Sequence, residues 1–191
     1  MIFNECGKSM IKGHLRIYEE ESQKVLFDRH NDIHPENFSK ALAQSLANES
    51  GFINELVFGN GGVRVNASSE FQYSSPQTFG VTASLYNQTY QKVVNPNSSD
   101  NVDITRNYIN VSHVNGNVYS DILIHCTLEK NEPAHQNVMN NNNEITSEFS
   151  FSEVGLKTVD GDLITHICHY PIQKSLNTTL VFDYLIRIQI V

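Results

Sequence analysis

Tryptophan is absent from this chain of 191 residues, and cysteine is scarce. The missing tryptophan counts against a sugar-binding platform, because such platforms favour large aromatic faces. The three cysteines, Cys6, Cys126 and Cys168, form an odd and sparse set, which argues against a disulfide framework. Cys126 and Cys168 lie in strand-like patterns, where a free cysteine usually acts as a small buried apolar residue. We therefore expect these two cysteines to belong to the core.

Positive charge is also scarce. Lys and Arg number 13 against 21 Asp and Glu, so the net charge is -8 at pH 7, and no basic run stands out. Binding to a nucleic-acid backbone needs clustered cations that displace counterions, and anionic membranes attract the same kind of cluster. We therefore expect no nucleic-acid partner and no membrane partner.

Long apolar runs are missing as well. No run approaches the roughly 20 residues that a membrane-spanning helix needs. The first residues lack the basic flank and apolar region of a secretory signal. We expect a protein that stays in a reducing compartment or leaves it by a route other than secretion.

The clearest positive signal is the end of the chain, where apolar and polar residues alternate over 180–190. One face carries Leu180, Phe182, Tyr184, Ile186, Ile188 and Ile190. Period-two alternation of this length is typical of a half-buried antiparallel strand. Asp160-Gly161 supplies a tight turn between strands near 149–157 and 163–169, so we expect a closing three-stranded meander.

Alternating segments elsewhere predict further strands near 11–18, 23–28, 52–58, 79–90, 104–114 and 118–129, the last two joined by Asn115-Gly116. One helix is expected near 35–48, because Pro35 suits a first helical position and Phe38, Ala41 and Leu42 recur at helical spacing. The fold class predicted from these patterns is all-β: an antiparallel β-sandwich of about nine strands with one short α-helix. The length suits a single domain over 1–191, with long Asn-rich loop excursions at 63–78, 93–103 and 131–145.

Two patterns that carry chemistry in other proteins have simpler explanations here. Gly59-Asn60-Gly61-Gly62 lacks the Lys-Ser/Thr of a phosphate-binding loop, so we interpret it as a wide turn or bulge. His30 and His34 precede the helix that Pro35 begins, so they do not share a helical face. His166 and His169 lie in a strand, where their odd spacing points them to opposite faces. We expect these histidines to face solvent or to be hydrogen-bonded, and we predict no metal ligands.

No pattern in the sequence requires catalysis. There is no G-x-S-x-G elbow, and no cysteine lies at a helix start beside a histidine. Asp160 and Asp162 flank a turn glycine, which accounts for both carboxylates. We predict no catalytic residues, no cofactor-binding residues, no cofactor and no enzymatic activity. A small hydrolase that uses some of the His, Asp and Glu residues remains an alternative.

Several segments resemble virion proteins of tailed bacteriophages. F-S-E-V-G-L-K at 151–157, G-D-L-I-T-H at 161–166 and P-I-Q-K-S at 171–175 are similar to a run that precedes a final alternating strand in tail-fibre and related attachment proteins. The segments 30–37 and 41–48, followed by V-F-G-N-G-G at 57–62, resemble uncharacterised phage structural proteins in which a short helix precedes such a turn. Together these segments cover about half of the chain, and they consist of turn and strand residues rather than reactive groups.

The resemblance implies a non-enzymatic virion component, made in the bacterial host cytoplasm, that assembles in multiple copies. Its expected partners are further copies of itself, as a homo-oligomer, and other virion proteins of the neck, tail, baseplate or capsid. The short chain shows no repeats or heptads, which favours a neck, collar, baseplate or fibre-attachment adaptor over a long trimeric fibre.

Two alternatives stay open. One is a decoration or cement protein of the capsid head. The other, from a different class, is a carbohydrate-binding module, because sandwiches often bind glycans and tyrosine is frequent. The tyrosines concerned are Tyr73, Tyr86, Tyr90, Tyr108 and Tyr119.

Overall fold

The computed structural model describes residues 9–133 and 149–190, which form eleven strands and one helix. The elements are β1 (Ser9–Glu19), β2 (Val25–Ile33), α1 (Pro35–Leu46), β3 (Ile53–Gly59), β4 (Val63–Val65), β5 (Phe71–Tyr73), β6 (Gln88–Val93), β7 (Tyr108–His113), β8 (Tyr119–Leu128), β9 (Phe149–Thr158), β10 (Leu163–Lys174) and β11 (Leu180–Ile190).

Nine strands form one antiparallel sheet in the order β6-β3-β9-β10-β2-β1-β11-β8-β7, and β4 pairs with β5 in a small separate sheet. The predicted all-β, antiparallel class with one short helix is therefore confirmed. The main sheet has the nine strands that the patterns predict, and the described residues contain two strands more. The additional hairpin, β4–β5, lies in the segment 63–78, which was expected to be loop throughout.

The nine-stranded sheet folds over on itself at β2. This strand pairs with β1 along residues 25–31 but reaches β10 only at Asp32 and Ile33. The rings of Phe58 in β3 and Phe182 in β11 are 5.0 Å apart, although four strands separate β3 from β11 in the sheet order. The two halves therefore face each other as the layers of a sandwich.

Strand β11 lies in the centre of one half-sheet, between β1 and β8. Its face with Leu180, Phe182, Tyr184 and Ile186 is buried, as the alternation predicts. The predicted closing meander is wrong, because β10 pairs with β9 and β2 while β11 crosses to the other half-sheet. Because β11 pairs with a strand on each side, its backbone N–H and C=O groups are satisfied. At an edge, half of these groups would lack a strand partner and the apolar face would be less completely covered.

Helix α1 begins at Pro35, as predicted. The side chain of His34 caps it, since Nδ1 accepts a hydrogen bond from the backbone N–H of Asn37. Phe38 and Ala41 are buried, but Leu42 and Leu46 are exposed. The sheet therefore covers only part of the apolar stripe of the helix.

The strand expected at 79–90 is corrected, because only Gln88–Val93 is strand. Residues 79–87 instead lie over the outer face of the β3–β9–β10 half-sheet, where Leu85 packs with Val57 and Leu163 in a second small core. Glycine at 155 makes room there, since a Cβ would lie 3.2 Å from Leu85 Cδ2. The segment 79–87 is therefore held by the packing of Leu85 against the sheet and not by pairing as a strand.

The remaining predicted loops have different outcomes. The segment 94–107 connects β6 to β7, and its turns are organised by the buried Asn101, whose Nδ2 donates to the carbonyls of Asn95 and Asn107. Of the excursion at 131–145, only residues 131–133 belong to the described residues, and Cys6 also lies outside them. The assignment of one domain to 1–191 stays a prediction.

Candidate functional site

Glu153 is the centre of the most polar cluster in the buried part of the molecule. Strand β9 places it against the 59–62 turn and the 86–87 segment. Its carboxylate accepts hydrogen bonds of 2.9 Å from the backbone N–H groups of Gly61, Tyr86 and Asn87. Burial alone would raise the pKa of Glu153, but these donors and His166 outweigh burial and lower it below the ordinary value of 4.5. The carboxylate therefore ties two irregular segments to the sheet.

The glycine-rich turn is shaped for this contact. A Cβ at Gly59 would lie 2.5 Å from Glu153 Oε1, and one at Gly61 would lie 2.5 Å from the Cβ of Tyr86. The β3–β6 ladder shifts register between Phe58 and Gly59, so the interpretation as a turn or bulge holds. One backbone donor of the turn, the N–H of Gly61, does bind an anion, but that anion is the protein's own carboxylate.

His166 lies next to Glu153, and both side chains are buried. Its Nε2 is 3.1 Å from Glu153 Oε2, and its Nδ1 is 2.8 Å from the backbone nitrogen of Gln77. A backbone N–H can only donate, so Nδ1 must be the acceptor and the proton of the neutral ring lies on Nε2. The imidazole is therefore a bridge from the 74–87 segment to β9.

Cys168 approaches the same imidazole nitrogen, with Sγ 3.7 Å from His166 Nε2. In a cysteine nucleophile one ring nitrogen faces the thiol and the other faces the orienting group. Here Nε2 faces both Cys168 and Glu153, so the ring has no free basic nitrogen to accept the thiol proton. Burial, with a smaller effect of nearby carboxylates, raises the pKa of Cys168 to about 12. The thiol is therefore protonated and poorly nucleophilic at neutral pH.

The same three side chains are also the candidate metal ligands, since one donor atom from each of Glu153, His166 and Cys168 lies within 4.8 Å of the others. Zinc accepts carboxylate, imidazole and thiolate ligands. A metal ion bound to His166 Nε2 would displace the proton from that nitrogen. The proton could not move to Nδ1, because Nδ1 accepts the hydrogen bond from the Gln77 N–H. The ring would have to become an imidazolate, and Glu153 is already satisfied by backbone donors. This geometry does not fit a metal ion.

The other histidines of interest have separate structural positions. His34 is the helix cap described above, and its Nε2 is 3.1 Å from the carbonyl of Gly80. His30 Nδ1 is 3.1 Å from the carbonyl of Gly13. His169 is buried between Phe27 and Phe151, and its Nδ1 donates to the carbonyl of Tyr170 at 2.7 Å. Neither of the histidine pairs considered in the sequence, His30 with His34 or His166 with His169, belongs to a group of three or more possible metal ligands in the described part of the chain.

A polar cleft of about 630 Å³ opens where β2 and β10 separate. Its walls include Asp28, Arg29 and His30 from β2, and the exposed rings of Tyr73 and Tyr170. The ring of Phe71 lies 4.9 Å from that of Tyr170 in a T-shaped arrangement, which fixes one wall of the cleft. Charged groups beside exposed aromatic faces suit a polar ligand with one apolar side.

An apolar cavity of about 420 Å³ lies between α1 and the half-sheet that contains β7, β8 and β11. Its lining includes Phe38 and Leu42 of the helix, Ile109 and Val111 of β7, and Ile188 of β11. The helix packs on β10 and leaves the inner faces of β7, β8 and β11 open at this end of the sandwich.

Comparison with known protein families, with curated proteins and with solved structures found no match. Within the described residues there is also no helix with the length and apolar character needed to cross a bilayer.

Sequence reasoning missed the Glu153 cluster, although two signals for it were present. Glu153 is the one carboxylate in the β9 segment, and a glycine-rich turn is a place where backbone N–H groups leave a regular strand ladder. A charge in a strand that is buried on both faces requires a partner. What the sequence did not reveal is that the partner would be backbone from 59–62 and 86–87.

Proposed function

We propose that this chain is a non-enzymatic structural component of a tailed-bacteriophage virion that assembles in multiple copies through its surface. A neck, collar, baseplate or fibre-attachment adaptor fits a compact sandwich best, with decoration of the capsid head as the variant of the same class. The phage assignment rests on the resemblance of segments at 30–37, 41–48 and 57–62 and of the stretch from 151 to 175. The assembly class rests on the geometry of the surface.

The observation that carries the assembly class is the position of the exposed apolar side chains. Leu46 at the end of α1 is 82% exposed, Phe79 is 86% exposed and Val102 is 85% exposed. All three lie in or beside connections between strands, where a rigid sandwich holds them outward. Contiguous exposed apolar patches mark surfaces that bury against another protein, and these side chains are the candidates to contribute to such a patch in the assembled state.

The buried polar cluster supports the same class. In the described residues, the one group of three His, Cys, Asp or Glu side chains close enough to share a metal is used to hold loops in place. An enzyme needs a reactive group that is free to reach a substrate. Glu153, His166 and Cys168 do not provide one.

Mass spectrometry of purified particles tests the proposal. Phage particles are prepared from the bacterial strain that encodes the chain, and the chain is quantified against the major capsid protein. We expect it in washed particles at a fixed copy number that reflects a ring or lattice symmetry. Its absence from particles, with the chain present in the lysate, would contradict the proposal.

The polar cleft favours carbohydrate binding as a second candidate function. Tyr73 and Tyr170 present aromatic faces beside Asp28 and Arg29, which is a suitable combination for a sugar ring and its hydroxyl groups. A glycan array with wild type, Tyr170→Ala and the control Tyr119→Ala tests it. Tyr119 lies outside the cleft, with the guanidinium of Arg187 4.0 Å from its ring. Binding that is lost only with Tyr170→Ala supports the cleft, and no binding by wild type contradicts it.

A further inference from the structure

Strand β7 is one edge of the nine-stranded sheet, and it pairs with β8 alone in the described residues. The side chain of His113 reaches the carbonyl of Tyr119, and the N–H of Thr127 donates to the side chain of Asn107. Odd-numbered residues of β8 therefore turn their backbone groups toward β7.

The ladder partners of those residues are the even-numbered residues of β7, with Asn110 opposite Leu123. Backbone groups of successive residues in a strand point to opposite sides. Ile109 and Val111 therefore direct their N–H and C=O groups away from β8. Over residues 9–133 and 149–190, no hydrogen bond reaches these outward groups.

Among the residues that the structure describes, this edge lacks the features by which proteins prevent strands from adding to a sheet. Such features are lysine, proline, bulges and covering loops. The sequence of β7, YINVSH, contains no proline and no Asp, Glu, Lys or Arg, and its ladder with β8 has no register shift. The opposite edge differs. There the β3–β6 ladder shifts register, and Glu132 from the 129–133 corner holds Lys92 of β6 by hydrogen bonds of 2.5 and 2.7 Å.

The apolar cavity provides a second, independent reason for an added strand. Ile109 and Val111 line its opening on the inner face of β7, and Val114 and Val118 continue the exposed apolar surface past the end of the strand. A strand added beside β7 would place alternate side chains over this opening. Main-chain hydrogen bonds and pockets for alternate side chains are the two components of recognition by strand addition.

We propose that β7 pairs with β7 of a second copy of this chain, antiparallel and about a twofold axis at Asn110. This inference rests on the proposed function and names its contact between copies. In this register Ile109 faces Val111 of the second copy, and the reverse pair follows by symmetry. The outward N–H and C=O groups of both residues then pair, and the two apolar cavities open toward a shared interface.

A second copy fits this edge because the edge is self-complementary. Each chain carries a net charge of -8, so contacts through acidic surface would repel. The strand itself contains no Asp, Glu, Lys or Arg. The nearby charges Asp121 and Arg187 neutralise each other, since they form two hydrogen bonds of 2.7 Å.

Sedimentation equilibrium with a matched pair of variants tests the contact. Val111 is 65% exposed in β7 and Val65 is 64% exposed in β4, so Val111→Lys and Val65→Lys add the same charge at equal exposure. For a dimer with a dissociation constant of about 1 μM, a chain concentration of about 100 μM leaves little monomer. At this concentration wild type and Val65→Lys should have twice the chain mass of 21.6 kDa. Val111→Lys should have the mass of one chain. A monomeric wild type, or a Val111→Lys variant that dimerises as wild type does, overturns the proposal.

Hydrogen exchange on wild type gives a measurement that does not depend on how a variant folds. The amide protons of Ile109 and Val111 should be protected in concentrated solution and should exchange rapidly after dilution. The amide of Asn110, bonded within the chain, should stay protected in both. Rapid exchange of Ile109 and Val111 in the concentrated sample overturns the proposal. A dimeric chain that is absent from phage particles would refute the proposed function alone, and a monomeric chain found in particles would refute this contact alone.

Discussion

A buried carboxylate is costly unless donors surround it, and Glu153 meets that condition with three backbone N–H groups and one imidazole. The consequence reaches beyond the residue. The amides of Gly61, Tyr86 and Asn87 have no partner in a strand ladder. The carboxylate of Glu153 accepts their hydrogen bonds in place of a neighbouring strand. Removal of its charge should loosen the segments 59–62 and 86–87 together.

Glu153→Gln is the smallest change that tests this role. The amide group of glutamine replaces one acceptor by a donor, which would then face a backbone N–H. We expect a loss of about 3 kcal/mol of unfolding free energy, the order of a lost charge-assisted hydrogen bond with an unsatisfied buried donor. Urea denaturation measures it, with Glu49→Gln at an exposed position as control. Equal midpoints for the two variants would show that the carboxylate does not hold the loops.

His169 should make the protein sensitive to mild acid. Burial lowers the pKa of its imidazole from the ordinary 6.5 to about 4. The folded state holds the ring neutral, so its contribution to stability is complete above pH 6.5 and is lost as pH falls toward 4. Between pH 7 and pH 5 the loss should be about 2 kcal/mol, before most carboxylates titrate.

The measurement is the urea midpoint at pH 7 and pH 5 for wild type and for His169→Phe, which keeps an aromatic ring between Phe27 and Phe151. The variant should lose clearly less stability than wild type over this interval. The same loss in both proteins would assign the acid sensitivity to other groups.

At the scale of the elements, the buried face of β11 holds the two layers together. Leu180→Asp or Ile186→Asp would bury an unpaired carboxylate at a cost of several kcal/mol and should abolish soluble folding. Gln189→Asp, at a partly exposed position of the same strand, should be tolerated. Thermal melts and soluble yields compare the three variants. Similar melts would remove Leu180 and Ile186 from the core.

Local patterns predicted the elements whose residues alone determine their structure. The alternation in β11, Pro35 before α1, and the hairpin glycines Gly116 and Gly161 all have the expected roles, and both glycines have positive φ values of 90° and 85°. Each signal acts within a few residues of its effect.

Pairing between distant segments was beyond those patterns. Alternation gives the face of a strand but not its neighbours, so the transfer of β11 to the β1–β8 half-sheet was missed. Leu85 follows strand-like spacing, yet its apolar side chain packs above the sheet and the next two amides bind Glu153. In both cases a tertiary contact decided between conformations that the sequence left equally open.

At the scale of the whole molecule, the buried Glu153 cluster is covered by the chain itself, and several apolar surfaces are exposed. The Glu153 cluster faces a covering segment of the same chain, whereas the edge of β7, the apolar cavity and the loop tips at Phe79 and Val102 face solvent. These exposed apolar surfaces are the ones that the proposed assembly function would use.

The amount of chain per purified particle, compared between two variants, tests this account most directly. Val111→Lys alters the exposed edge, and Cys168→Ser alters the buried cluster with almost no change in volume. At equal soluble levels in the host, the account predicts that Val111→Lys is incorporated at least about tenfold less than wild type, which corresponds to 1.4 kcal/mol or more of lost contact free energy. It predicts wild-type incorporation and wild-type infectivity for Cys168→Ser. Normal incorporation of Val111→Lys together with loss of infectivity in Cys168→Ser would contradict it.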